Sequence, residues 1–134
     1  MIVVVTAVPF VLPAASATAA IKITKIQYEP PLEGTRLNRE FVVIKNTGSA
    51  RVTLTDWTLR NTSGDVVTFP IFRLHSEARV TIHTGQGNDD RNDLFWDAGE
   101  YIWNSDGDAA TLRDNGGDRR DRCHYSGGGT VTNC

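Results

Sequence analysis

Arg39-Glu40-Phe41-Val42-Val43-Ile44-Lys45-Asn46 is the stretch on which the fold class turns. Its middle is a near-continuous run of aromatic and β-branched residues. Such side chains crowd the turns of a helix and pack well on a pleated strand. The run predicts a central strand buried on both faces, ended by the turn Thr47-Gly48. Upstream, Ile21 to Tyr28 reads as a first strand, stopped by Pro30-Pro31. Downstream, Val52 and Leu54, then Trp57 and Leu59, alternate with polar residues and give two short strand pieces around Asp56. The turn Thr62-Ser63-Gly64-Asp65 returns the chain into Val66-Val67-Thr68-Phe69, a hairpin closed by Pro70.

The second half keeps this short period. Arg79 to Thr84 alternates cleanly, with Val80 and Ile82 inward and Thr81 and His83 outward, and Gly85-Gln86-Gly87 ends it. Gly87 to Asp93 has no apolar residue and reads as a solvated loop. Leu94-Phe95-Trp96 and Tyr101-Ile102-Trp103 are expected to return aromatic mass to the core. Ala109 to Arg113 and Arg122 to Tyr125 bracket Asn115-Gly116-Gly117, a strong hairpin signal. No window of a dozen residues shows a helical apolar period. Seven or more short strands, with turn signals about every 8–12 residues, predict an all-β fold, an immunoglobulin-like antiparallel β-sandwich. Phe41, Ile44, Trp57 and Leu112 are the expected core residues, with Trp57 filling the space between two sheets.

The chain has 134 residues and a net charge of −2, from 14 Lys+Arg against 16 Asp+Glu. That length suits one domain. The slight acidity argues against a general nucleic-acid binder, which needs a basic surplus to displace counterions from phosphate. Residues 1–20 carry no charge; an apolar stretch Ile2–Leu12 is followed by small residues, with Ala15-Ser16-Ala17 or Ala17-Thr18-Ala19 as a cleavage pattern. They read as a signal peptide lacking a basic start, too short in its apolar part to span a bilayer. On that reading residues 21–134 form the mature, secreted domain, with no membrane span after cleavage. The two cysteines, Cys123 and Cys134, flank a Gly-rich segment and are expected to form a disulfide pinning the C-terminal tail, as an export route allows.

Phe41 to Gly48, Leu54-Thr55-Asp56-Trp57-Thr58-Leu59-Arg60-Asn61, Phe69-Pro70, Val80 to Gly85, Trp103-Asn104 and Gly107 to Asp114 occur in an order that resembles the lamin-tail domain family. The resemblance covers Ile21 to Tyr125. It implies an immunoglobulin-like sandwich and does not imply an enzyme. Without rod heptads, nuclear scaffolding does not carry over. The stand-alone form with a terminal cysteine pair is similar to the family's secreted, bacterial members.

Chemistry-bearing motifs are sparse. His75, His83 and His124 match no zinc spacing, there is no nucleophile elbow, and the Gly-rich stretches lack a phosphate loop's strand-to-helix context. No catalytic residue, metal or cofactor is therefore expected. Candidate binding loops carry Asp89, Asp90, Asp93, Asp106 and Asp108, and the last hairpin carries Arg119 and Arg120. The acidic loops offer hard oxygen ligands but not the calcium-loop register, so solvated turns are preferred to a calcium-stabilised domain. Around the hairpin Arg113, Arg119, Arg120 and Arg122 alternate with Asp114, Asp118 and Asp121, which is expected to cancel most of the field. Asn61-Thr62-Ser63 meets the N-glycosylation pattern within a predicted turn. The expected function is binding or adhesion at the cell exterior, to a protein or polymer partner. An accessory role on nucleic acid or an anionic wall polymer is the alternative.

Overall fold

In the computed structural model, which describes residues 2–9, 20–28 and 36–134, β2 (Phe41–Asn46) lies between β1 (Ile21–Gln27) and β7 (Arg79–His83). It is central but not buried on both faces. Val42, Ile44 and Asn46 are buried, whereas Phe41, Val43 and Lys45 on the other side are half-exposed. Phe41 is thus a correction: it belongs to the outer face of the sheet, beside His83, and not to the core. Ile44, Trp57 and Leu112 lie in the core cluster.

Of the eleven strands among the described residues, nine form two main sheets. One has the order β11-β1-β2-β7-β8, with β8 (Asp93–Phe95) and β11 (Val131–Asn133) at its edges. The other has the order β10-β9-β4-β5, from β4 (Thr58–Arg60), β5 (Val66–Thr68), β9 (Asp108–Arg113) and β10 (Arg119–Tyr125). A ribbon of β3 (Val52–Thr53) and β6 (Arg73–Leu74) lies where the chain passes between them. Pairing is antiparallel throughout except for β7 with β8, which run parallel. The sandwich is immunoglobulin-like, with Ile23, Ile44, Val80 and Ile82 of one sheet facing Leu59, Ala110 and Leu112 of the other. Of the two aromatic segments, Leu94, Ile102 and Trp103 are buried. Phe95 instead stacks on His83 outside the sheet, and Tyr101 is exposed. Pro30-Pro31 and both cleavage patterns lie outside the described residues; Ile2, Val3, Val4, Val5 and Val8 are exposed and in no strand.

The two sides of the sandwich are closed differently. A bulge at Thr24 divides β1. Beyond it, Lys25 to Gln27 pair with β11; before it, the Ile23 amide donates to Asp121 Oδ2 of β10 at 2.8 Å. Tyr28 and Tyr125 stack with ring centroids 4.0 Å apart, and Cys123 of β10 bonds to Cys134, whose amide donates to Thr24 O. The disulfide therefore ties one sheet to the other, which is more than pinning a tail. Replacing both cysteines by alanine is expected to lower the unfolding free energy by about 3 kcal/mol, the chain-entropy value for a loop of this size. Urea melts measure this, and a loss under about 1 kcal/mol would mean that the non-covalent contacts hold this side alone. On the other side β5 and β8 are not paired with each other, and a cavity of about 140 Å³ lies between them, lined by Val67, Phe69, Ile82, Leu94 and Phe95 among others.

Candidate functional site

The register places the turn at residues 61–65, the β7–β8 loop, the β8–β9 loop and the chain ahead of β2 at one end of the sandwich, and the 114–118 hairpin at the other. The expected binding loops are consequently not one site: Asp106 and Asp108 lie at the loop end, Asp93 starts β8 opposite Thr81 in the middle of β7, Asp89 and Asp90 lie along the β8 edge near Pro70 to Arg73, and Arg119 and Arg120 follow the hairpin at the other end.

The loop end is organised by two buried carboxyl groups. Glu40, fully buried just ahead of β2, accepts at Oε1 from the Ile102 amide at 2.6 Å, Thr84 Oγ1 at 2.8 Å and the Trp103 amide at 3.2 Å. Burial raises its pKa above the usual carboxylate value; the three hydrogen bonds oppose this, and the neighbouring Asp108 adds to it. Nothing in the sequence marked Glu40, because a charged residue leading a strand ordinarily points to water. Asp108, expected among the candidate binding-loop residues, is turned away from solvent. It is buried; Oδ1 accepts from Thr62 N, Thr62 Oγ1 and Ala109 N, and Oδ2 from Asn104 N and Nδ2. Both oxygens are spent on tying the 61–65 turn to the β8–β9 loop. Tyr125 donates to Asn104 O at 2.7 Å; burial, and then the nearby Asp108 and Glu40, push its phenol far above the ordinary value.

The acidic β7–β8 loop is likewise turned on itself. Asp90 Oδ1 accepts from the Asn92 and Asp93 amides, both at 2.8 Å, which holds this exposed carboxyl below its ordinary pKa. Asp89 Oδ1 accepts from the Phe95 amide, and Asp93 Oδ1 lies 2.7 Å from His83 Nε2. The His83 ring is stacked on Phe95, and its Nδ1 lies 3.0 Å from Asn38 O. Asp106 stays exposed in the turn before β9. No group of three or more His, Cys, Asp or Glu able to hold a metal occurs among the described residues. At the opposite end Arg120 lies over Trp57, 5.6 Å from the ring centroid, with Nε 3.2 Å from Asp114 Oδ2, so it covers the core. Asn61, the first residue of the N-glycosylation pattern, is buried. Its buried Nδ2 donates to Asp65 Oδ2 and Ile102 O, which leaves no room for a glycan in the folded chain.

What the loop end leaves open is a pair of recesses that share Gln86. One, of about 590 Å³, is lined by the 3-10 turn Leu37–Arg39 with Arg36, and by Gly85, Ala98 and Gly99. The other, of similar volume, is lined by Gly87, Asn88, Asp89, Phe95 and Asp97. Both are pressed tight at their glycines. A Cβ on Gly87 would lie 2.3 Å from the Phe95 ring, and one on Gly85 would lie 2.6 Å from Asn38 Oδ1. Asp97 has a φ of 60°, a conformation that a non-glycine residue adopts at a cost. Sequence reasoning did not single out Arg36, Gln86 or Asp97; each stands beside turn-forming residues and reads as part of an ordinary turn.

A family model described as Lamin Tail Domain matches residues 14–127. No curated protein matches the chain.

Proposed function

The chain belongs to the lamin tail domain family, a family of immunoglobulin-like, non-catalytic domains, and from that premise we propose that it is an exported binding module acting at the cell exterior through its loop end. The observation that carries this reading is the division of labour there. Glu40 and Asp108 point inward and hold the 61–65 turn and the β8–β9 loop by backbone amides and the start of the β7–β8 loop by the Thr84 hydroxyl, while Gln86, Asn88, Asp89 and Asp97 line an open recess beside the Phe95 ring. A scaffold rigid beneath and polar above suits recognition of a ligand rather than its conversion. The uncharged, apolar-then-small character of residues 1–20 supports export, as does the disulfide.

The test has two parts. In the producing cell, the medium or surface fraction is expected to hold a disulfide-bonded chain that begins near residue 21. Recovery of the intact, reduced chain inside the cell would overturn the export reading. For the site, surface material retained by the wild-type domain should be lost with Gln86→Ala/Asp97→Ala while the melting temperature stays within about 3 °C, as for surface substitutions of small energetic effect. Equal retention by the variant would remove the loop end from the proposal.

A further inference from the structure

Along the chain the last hairpin alternates Arg with Asp, but the fold separates them. In the sheet β10-β9-β4-β5, Arg122, Thr111, Arg60 and Val66 stand in one cross-strand row, and Arg119, Arg113, Thr58 and Thr68 in the next; His124 pairs with Ala109 beyond them. Leu59, Leu112 and Cys123 point to the core, so these rows lie on the outer face, where Arg60, Arg113, Arg119, Arg122 and His124 are exposed. The bulge between Arg119 and Asp121 is what breaks the alternation. It sends Arg120 over Trp57 and lets Asp121 reach back to the Ile23 amide and Lys22. Asp114 caps the hairpin through the Gly116 and Asp118 amides, and Asp108 is buried. Asp65 and Asp118 sit in turns at the two ends of the sheet, off its face.

Among the described residues the outer face thus presents four guanidinium groups and no carboxylate, on a chain whose net charge is −2. Among the described residues none of the four makes an ion pair, and Arg113 donates to Gly117 O. Arg119 and Arg113 are direct cross-strand partners, an arrangement that costs stability unless an anion lies between them. We propose that this face binds an anionic polysaccharide. The strand separation sets the Cα atoms of these arginines about 5–10 Å apart, and their guanidinium groups would take carboxylate or sulfate groups bidentately. The threonines between them would hydrogen-bond the sugar hydroxyls. Nucleic acid fits less well: the rows hold no aromatic ring on which a base could stack, and a broad four-stranded face cannot enter a major groove. The surface is separate from the loop end, so either can fail alone.

The test measures binding of the whole domain to labelled heparin and to polygalacturonate, with short duplex and single-stranded DNA as competitors, at low and physiological salt. Saturable glycan binding that weakens with salt is expected. Arg60→Ser/Arg122→Ser should weaken it about tenfold or more, the worth of one lost charge-assisted pair. Arg119→Glu serves as a second variant, Arg79→Ser on the other sheet as a control, and thermal melts verify folding. Absence of glycan binding at low salt, equal loss with Arg79→Ser, or tighter binding of DNA than of either glycan would each overturn the proposal.

Discussion

Glu40→Ala is expected to destabilise the domain by about 3–5 kcal/mol, because three donors lose their common acceptor inside the core. Ile102 N, Trp103 N and Thr84 Oγ1 all converge on Oε1, and Glu40 is fully buried, so water cannot take over without opening the loop end. Glu40→Gln keeps an acceptor oxygen and should cost clearly less. The pair of variants also yields a pH signature. Burial raises the Glu40 pKa, so the folded chain holds this proton more tightly than the unfolded one. The resulting stabilisation is complete below the ordinary value of 4.5 and is lost as pH rises through the folded value. The difference in stability between wild type and Glu40→Gln should therefore move against wild type as pH rises from about 4.5. Urea melts across that range measure it; parallel curves would show that the carboxyl does not change charge there.

Trp57→Ala is expected to cost about 3–5 kcal/mol, the range for removing a buried indole. Trp57 is 5% exposed and packs in the core beneath Arg120. Arg120→Ala removes only the cation over the ring and its exposed ion pair, and should cost about 1 kcal/mol. Denaturant melts of the two variants separate packing from the cation's share. Comparable losses would mean that the arginine, rather than the indole, holds this corner.

Most of the strand plan was legible because alternation and turn chemistry are local. Val80 and Ile82 face in, the Asn115-Gly116 hairpin joins β9 to β10, and Cys123 meets Cys134. Phe41 was misread because both sides of β2 are apolar, so the period alone does not say which side meets the second sheet. The parallel pairing of β8 depends on the path of the polar 85–92 loop, which no residue pattern encodes. At the site, the acidic loop was visible but its chemistry was not: Asp89 and Asp90 bond to their own loop and the start of β8, and Glu40 finds its partners 44 to 63 residues away. The Arg-Asp alternation suggested cancelled charge. A single bulge, detectable only through the register of β10 on β9, sorts the two signs onto different surfaces.

The unequal closing of the two sides has a consequence for motion. Where β1, β10 and β11 meet, the tyrosine stack and the Asp121 bond must give way together before the sheets part, and the disulfide keeps their strands tethered throughout. At β5 and β8 each edge strand has three residues and one paired neighbour, with a cavity between them. Fluctuations of the sandwich resemble those of a book: the bonded side is the spine, and the β5 and β8 edges are the leaves. Amide hydrogen exchange should run in that order, through local openings of low free energy at β5 and β8 and through near-global unfolding at β1 and β10.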